Sequence, residues 1–410
     1  MYYYLAENQL AASLLPDLPL ERTEAGAPAL FLTERDPREG RSSWRLTDSR
    51  QASSPEDIRW LDSRRLGGPA LPREAEEALG AGPVQAVNIR HPKWREAAGF
   101  CVPRPGKKRV HLLAVGDVGG TLLTALKLLG GDCVSSIGIR DLNENTVARW
   151  TAEMGQIAWP WDYGALPEAE PVSAEDLFRC DVFLFAATRS VPAVGSQVQD
   201  VRMAQLEANR AIVESYARQA RRDGFRGLFI VLSDPVDPLC RAAWLASNRD
   251  EGGNWDGLGL LAEQIQGFGL GVMNARAAYF AKQDPRFSSF LTEGRTFGPH
   301  GRGLVAANSI AHYDGALSRE LTELALEANL RIRELGFKPY VAPAVSSGAM
   351  QLLLALRGEW HCGSVCLGGV WFGVKNRFTA HGLETEDLAL PDELFARLRE
   401  TEAALWEMGV

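Results

Sequence analysis

Two stretches in the C-terminal half of the chain carry side chains that could take part in a reaction. GFGLGVMNARAAYF (267–280) contains Arg276, and TFGPHGRG (296–303) contains His300. Histidine can donate a proton near neutral pH, and an arginine guanidinium can hold a carboxylate through two parallel hydrogen bonds. Together they suit hydride transfer to a carbonyl carbon, which needs a proton for the oxygen and an anchor for the substrate. Taken singly, His300 is better explained as an ordinary loop histidine among glycines, and Arg276 could be a surface arginine on a helix.

A glycine-rich turn is the second candidate site. AVGDVGG (114–120) follows an apolar run and opens a helix-like segment. In that context backbone N–H groups and a helix N-terminus can bind the pyrophosphate of a dinucleotide. Gly116 and Gly119 suit close ligand approach and helix packing, whereas Ala114 stands where the tight turn prefers glycine. Because a strand, turn and helix with glycines is also common packing, the motif alone is weak.

Asp141 strengthens this prediction, since it ends the next apolar run, 22 residues after Gly119. Its carboxylate can accept hydrogen bonds from ribose hydroxyls and repel a 2′-phosphate, although it could equally cap the following helix. Arg140 beside it leaves the choice between NAD and NADP open. We predict an NAD site formed by Ala114, Gly116, Asp117, Val118, Gly119, Asp141 and Ala187.

Composition bounds the class of protein. The 410 residues, 46% hydrophobic and 23% charged, are typical of a soluble globular protein of two or three domains. The net charge of −8 argues against a nucleic-acid or anionic-membrane partner. No positive n-region opens the chain, and the six cysteines are scattered, so we expect a reduced, cytoplasmic protein. HCGSVC (361–366) lacks the second ligand pair of a structural zinc site, and no metal is predicted.

Four short apolar runs alternate with helix-like segments and indicate a parallel α/β sheet. They are RVHLLAV (109–115), SSIGIRD (135–141), CDVFLFAA (180–187) and GLFIVLSD (227–234). We therefore predict a Rossmann-type domain at 108–250, followed by a mixed α+β domain at 251–410. The latter should contain helices near 257–282 and 314–335, an antiparallel segment at 364–382 and a closing helix at 391–408. Residues 1–107, rich in Pro, Arg, Glu and Ser, are predicted to form an irregular α+β extension of unknown role, joined through PRPGKKR (103–109).

From about residue 109 onward the chain resembles the lactate/malate dehydrogenase family. Three further motifs follow in the family's order: LSDPVDPLCRAAW (232–244), MNAR (273–276) and GPHGRG (298–303). They match the family's Ser-Asn-Pro-Val-Asp, Asp-Ser-Ala-Arg and Gly-Glu-His-Gly-Asp-Ser. The resemblance implies NAD-dependent interconversion of a 2-hydroxy acid and a 2-oxo acid, by a homodimer or homotetramer.

The resemblance also implies a role for particular residues. His300 matches the histidine that exchanges a proton with the substrate, and Arg276 matches the carboxylate clamp. Arg202 matches the arginine of a mobile loop that polarises the carbonyl, and Asn209 follows it at the family's seven-residue step. Arg189 lies where malate-specific members bind the second carboxylate, although Arg189 and Arg202 are 13 residues apart rather than about six or seven.

Three positions depart from the family pattern. Met273 stands where the family has the aspartate that orients the histidine, and a thioether accepts hydrogen bonds poorly. Asp234 replaces the asparagine of the Ser-Asn-Pro-Val-Asp motif, which leads to the hypothesis that Asp234 orients His300 from the other side of its ring. Arg302 replaces an aspartate and, with the longer loop, suggests a larger or more anionic substrate. Two functions stay open: an active dehydrogenase, or an altered NAD- or acid-binding member with a regulatory or interaction role.

Overall fold

The computed structural model describes residues 1–68, 71–100, 105–189 and 201–408, with only the backbone of 201–205. Its described strands form three sheets, of six, nine and two strands. None of the described helices is long and apolar enough to cross a membrane.

Residues 1–100 fold around the six-stranded sheet, so this segment is more regular than its composition predicts. Sheet order is β3-β1-β2-β4-β6-β5. Strands β4 and β6 are wholly buried, and the polar residues around them pair with one another, as Arg41 does with Glu56. The elements are β1 (Tyr2–Ala6), β2 (Gln9–Ser13), β3 (Glu21–Arg22), β4 (Leu30–Thr33), β5 (Ser43–Leu46), α1 (Arg73–Gly80), β6 (Val84–Asn88) and α2 (Trp94–Ala98).

The nine-stranded sheet confirms the predicted α/β fold. All four predicted apolar runs form parallel strands at its centre. The first part of this unit consists of β7 (Lys108–Leu113), α3 (Asp117–Leu129), β8 (Val134–Arg140), α4 (Glu144–Gly155), β9 (Glu168–Pro171), β10 (Val182–Phe185), α5 (Val201–Arg222), β11 (Leu228–Val231) and α6 (Val236–Ser247).

The rest of the chain extends the same sheet, whose order is β17-β16-β15-β12-β11-β10-β7-β8-β9. β12 is parallel to β11, so the domain boundary predicted at residue 250 does not coincide with the end of the parallel sheet. The elements are β12 (Ile265–Gly267), α7 (Leu270–Ala281), α8 (Phe290–Glu293), β13 (Arg295–Phe297), β14 (Val305–Ala307), α9 (Gly315–Glu334), a π-helical turn (Pro343–Ala349), α10 (Met350–Leu356), β15 (His361–Leu367), β16 (Val370–Thr379), β17 (Gly382–Thr385) and α11 (Asp392–Glu407).

The helix predicted at 257–282 is wrong in its first half, which contains β12. The helix predicted at 314–335, the antiparallel segment and the closing helix correspond to α9, β15–β17 and α11. The N-terminal unit docks on this body through buried polar contacts: the Glu263 carboxylate accepts hydrogen bonds from Ser42 and Ser43. Burial raises the pKa of Glu263, and the hydrogen bonds from the two serines oppose this shift by stabilising the charged carboxylate.

Candidate active site

His300 lies in the loop between β13 and β14, with one ring nitrogen held by backbone. Its Nδ1 is 2.9 Å from the carbonyl oxygen of Gly269, the residue before α7. A carbonyl can only accept, so Nδ1 carries the proton and the neutral ring leaves its lone pair on Nε2. Nε2 in turn lies 3.9 Å from Oδ1 of Asp234. The ring is therefore oriented with its free nitrogen on the side of Asp234.

Glycine is required at position 269 for this arrangement. A Cβ built there would lie 2.5 Å from Cβ of His300, well inside van der Waals contact. The Gly269 carbonyl also accepts a hydrogen bond of 2.8 Å from Oγ of Ser347, which itself accepts from the backbone N–H of Val272. These contacts tie the start of α7 and the carbonyl to one position. The orienting acceptor is thus a fixed backbone group.

Met273 is buried in α7 and lines the same cavity as His300. Its Sδ lies 3.5 Å from a terminal nitrogen of Arg276, which also approaches the carbonyl of Ala325 at 3.4 Å. Arg276 is half-buried, and burial lowers its pKa while the charge of Asp234 opposes that effect. Because none of the described carboxylates forms an ion pair with Arg276, its charge remains available to a ligand.

Asp237 is a further buried carboxyl at this site, and sequence analysis assigned it no role. It accepts hydrogen bonds from Oγ of Ser364 and, at 3.3 Å, from the backbone N–H of His300. Burial raises its pKa to about 6, although both hydrogen bonds and the nearby histidine oppose the shift. Asp237 thereby joins the His300 loop to α6 and β15.

The cavity that these residues line has a volume of about 860 Å³. His300, Asp234, Arg276 and Met273 share its wall with Arg302. The structure thus places on one cavity the predicted proton donor, the predicted carboxylate clamp and all three positions that depart from the family motifs.

Two other predicted site residues, Asn209 and Arg189, do not line this cavity. The Asn209 side chain in α5 is wholly buried: it donates to the carbonyl of Asp234 at 2.7 Å and accepts from the backbone N–H of Arg189 at 2.9 Å. It positions the two loops and does not face the cavity. Arg189 is exposed at the end of its described segment. Arg202 belongs to the first turn of α5, and its side chain lies outside the described residues, as do residues 190–200.

The glycine turn after β7 has the shape that a dinucleotide needs. Ala114 adopts the left-handed conformation, with φ of 72°, which explains why glycine would be preferred there. A Cβ on Gly119 would lie 2.0 Å from the Ala114 carbonyl oxygen, so only glycine fits. Gly116, by contrast, is exposed with open space beside it, and no side chain caps the α3 N-terminus. The turn therefore leaves room and free N–H groups for a phosphate.

Asp141 holds this turn in place. Its Oδ2 accepts from the backbone N–H of Val115 at 2.9 Å, and its Oδ1 accepts from that of Asn143 at 3.1 Å. Asn143, and not Asp141, caps α4. Each carboxylate oxygen retains a second lone pair, which ribose hydroxyls could use.

The remaining predicted cofactor residues surround the turn. Asp117 pairs with Lys338 at 2.8 Å, so its negative charge beside the phosphate position is offset. Val118 packs on the core, and the carbonyl of Ala187 accepts from Oγ of Ser233 at the neighbouring strand end. The residues present fit a dinucleotide.

Comparison with known proteins finds similarity to lactate and malate dehydrogenases. The chain is 25% identical over 209 residues to the L-lactate dehydrogenase of Treponema denticola, covering 51% of this chain and 60% of that enzyme. It is 23% identical over 255 residues to the malate dehydrogenase of Aliarcobacter butzleri, covering 59% and 75%. The match thus spans under two thirds of the length of the lactate dehydrogenase. No family model matches the chain.

Solved structures show the same fold. The minor L-lactate dehydrogenase of Enterococcus mundtii in its ligand-bound form superposes with a TM-score of 0.60 at 18% identity, covering 74% of this chain and 97% of that one. The chain is thus similar in sequence to lactate and malate dehydrogenases and shares their fold. The malate dehydrogenase of Archaeoglobus fulgidus in complex with NADH gives 0.57, also at 18% identity, with coverage of 73% and 98%. Met273, Asp234 and Arg302 are the positions at which the chain departs from the family motifs that it resembles.

Proposed function

We propose that this protein is an NAD-dependent dehydrogenase that interconverts a 2-hydroxy acid and a 2-oxo acid. The observation that carries the proposal is the shared cavity of His300 and Arg276, in which Nε2 of a backbone-oriented imidazole faces the same space as a half-buried guanidinium without a described ion pair. This is the minimum that the reaction needs: a proton carrier at one atom and an anchor for the acid.

Each residue of the site would have a separate role in this reaction. Arg276 binds the substrate carboxylate and places the adjacent carbon next to Nε2 of His300. In the reductive direction Nε2–H donates its proton to the carbonyl oxygen, and in the oxidative direction Nε2 takes the hydroxyl proton. Asp234, 3.9 Å from Nε2, stabilises the imidazolium electrostatically. The Gly269 carbonyl keeps the ring in one tautomer throughout.

The glycine turn would hold the cofactor, with Gly116 and the α3 N-terminus at the pyrophosphate and Asp141 at the ribose. Bound NAD supplies the hydride acceptor, or NADH the donor. Arg202 remains the sequence-based candidate for polarising the carbonyl, and Arg189 remains a prediction from the same resemblance. Asn209, whose buried amide bonds to the backbone of Arg189 and Asp234, would position these loops and not bind substrate directly.

A second candidate function has one observation in its favour. Met273 places a thioether, and no carboxylate, against Arg276 in the cavity wall. A protein that binds NAD or an acid without turnover would tolerate that exchange.

The test is NADH oxidation followed at 340 nm with a panel of 2-oxo acids, comparing the unmodified protein with His300→Ala. His312→Ala is the matched control, because His312 is an exposed histidine paired with Glu293. We expect turnover that His300→Ala abolishes and His312→Ala preserves. Tight calorimetric NADH binding without turnover of any acid would instead support the second candidate.

A further inference from the structure

The cavity that contains His300 extends well beyond it, along one face of α11. Arg397, Glu400, Thr401, Ala404, Glu407 and Met408 line it at the three- and four-residue spacing of a helix face. Its volume of about 860 Å³ lies near the upper end of the roughly 300–1,000 Å³ range of small-molecule sites. A short acid such as lactate would fill only a small part. The cavity has room for a longer carbon chain.

Arg397 places an uncompensated positive charge in this extension. One terminal nitrogen donates to the hydroxyl of Tyr313 at 2.7 Å and to Oγ of Ser318 at 2.8 Å, so the guanidinium is held by neutral groups. Arg397 is half-buried, and no described carboxylate forms an ion pair with it. Some half-buried arginines elsewhere in the chain do pair with carboxylates: Arg221 with Asp256, Arg295 with Glu386, and Arg377 with Glu384.

Other charges on the cavity wall limit where an anion could bind. Arg302 is exposed on the loop after His300 and likewise has no described ion pair. Asp234 and Asp237 lie at His300, and Glu400 and Glu407 line the α11 wall with exposed side chains. An anion next to Glu400 or Glu407 would be repelled, so the favourable position is at the guanidinium groups.

We propose that the substrate is a 2-oxo or 2-hydroxy acid with a second anionic group at the far end of its carbon chain, bound by Arg397 with support from Arg302. The inference rests on the proposed function, in which Arg276 takes the carboxylate next to the reacting carbon. In this proposal the second anionic group of the substrate binds to α11, through Arg397.

The test compares substrates that match in chain length and differ only in the terminal charge. For the unmodified protein, we expect kcat/KM with 2-oxoadipate to exceed that with 2-oxohexanoate. Arg397→Gln should lower kcat/KM for 2-oxoadipate by about 10- to 100-fold, the effect of losing one charged hydrogen-bonded pair, and leave 2-oxohexanoate within about twofold. Arg302→Gln, on an exposed loop, should act in the same direction without disturbing α11. Glu400→Gln, which removes a like charge, should act in the opposite direction.

Equal kcat/KM for the two acids, or equal loss of both in Arg397→Gln, would overturn the inference and leave the dehydrogenase proposal intact. Absence of turnover with every acid would overturn the dehydrogenase proposal. In that case calorimetry on the intact protein with adipate and hexanoate decides the inference. Adipate binding that is tighter and is lost in Arg397→Gln supports it, and any other result overturns it.

Discussion

The imidazole of His300 is oriented by the backbone of Gly269, with Nδ1 lying 2.9 Å from the carbonyl oxygen. The carbonyl accepts the same proton that a side-chain carboxylate would accept, but it brings no full negative charge. The site therefore keeps the tautomer of His300 that is protonated on Nδ1, but without the negative charge that a carboxylate would place beside this nitrogen. Asp234, on the Nε2 side, is the nearby negative charge.

Gly269→Ala should disable the site without unfolding the protein. The new Cβ would lie 2.5 Å from Cβ of His300 and displace the ring from its acceptor. We expect kcat to fall on the order of 100-fold, as when an essential group loses its position. Gly155→Ala, at a glycine with open space around it, is the matched control and should leave kcat unchanged. Normal activity in Gly269→Ala would show that the carbonyl contact is dispensable.

Met273→Asp tests whether a carboxylate at that position helps this particular chain. Since Met273 Sδ contacts Arg276, the introduced carboxylate should pair with the guanidinium and compete with the substrate carboxylate. We expect KM for 2-oxo acids to rise by about 10- to 100-fold, with no gain in kcat. Met273→Leu conserves volume and should cost less than about 1.5 kcal/mol of stability and little activity. A rise in kcat in Met273→Asp would contradict this account.

Asp234→Asn tests the charge beside Nε2. At about 4 Å a unit charge contributes several kcal/mol in a partly buried site, and the exposure of Asp234 reduces this by screening. We expect kcat to fall by about 10- to 100-fold while NADH affinity, measured by calorimetry, stays constant. Asp132→Asn, in the turn between α3 and β8, weakens a surface pair with Arg357 and serves as control. Unchanged kcat in Asp234→Asn would remove Asp234 from the mechanism.

Asp237→Asn should change the pH dependence of stability. Burial raises the pKa of Asp237 to about 6, so the folded state binds this proton more tightly than the unfolded chain does. The resulting stabilisation is fully present below about pH 4, the unfolded value, and is lost as the pH rises through about 6. A shift of about two pKa units corresponds to about 3 kcal/mol.

Urea unfolding of the unmodified protein and Asp237→Asn between pH 4 and 7 measures this difference. The free energy of unfolding should decline less steeply with pH in the variant. Asp17→Asn, at a highly exposed carboxylate, should keep the unmodified slope. Parallel curves for the unmodified protein and Asp237→Asn would show that folding does not raise the pKa of Asp237.

Gly116→Val addresses the cofactor turn. The side chain would enter the open space beside Gly116, where the pyrophosphate is proposed to lie. We expect NADH affinity to fall at least about 10-fold while the thermal midpoint changes little, because nothing in the protein occupies that space. Gly119→Ala should instead destabilise the fold, since its Cβ would meet the Ala114 carbonyl oxygen at 2.0 Å. NADH binding that survives in Gly116→Val would place the dinucleotide elsewhere.

Sequence reasoning predicted the features of the fold that leave a local pattern in the sequence and missed those that do not. The four apolar runs identified the centre of the sheet because strands buried on both faces leave continuous hydrophobic segments. β12 was missed because it has three residues, next to a glycine-rich turn and a helix. The N-terminal sheet was missed because its polar residues suggested irregular chain, whereas Arg41 and Glu56 are in fact buried as a pair.

For the site, motif order was enough to select His300, Arg276 and Asp234, which the structure places on one cavity. The acceptor for Nδ1 could not be found in the same way, because a backbone carbonyl is present at every residue. Arg397 was also missed: its position on the cavity depends on how α11 packs against the rest of the body. The signal for Asp237 was available, since it lies in the same motif as Asp234.

The polar contacts between the N-terminal unit and the body have a consequence for synthesis. Ser42 pairs with Glu263, 221 residues later, and the Ile58 N–H pairs with Glu402, 344 residues later. The six-stranded sheet is therefore synthesised long before the surface against which it packs. Contacts between residues so far apart in the sequence form late in folding. The six-stranded sheet must stay folded, or protected, until α11 has been made.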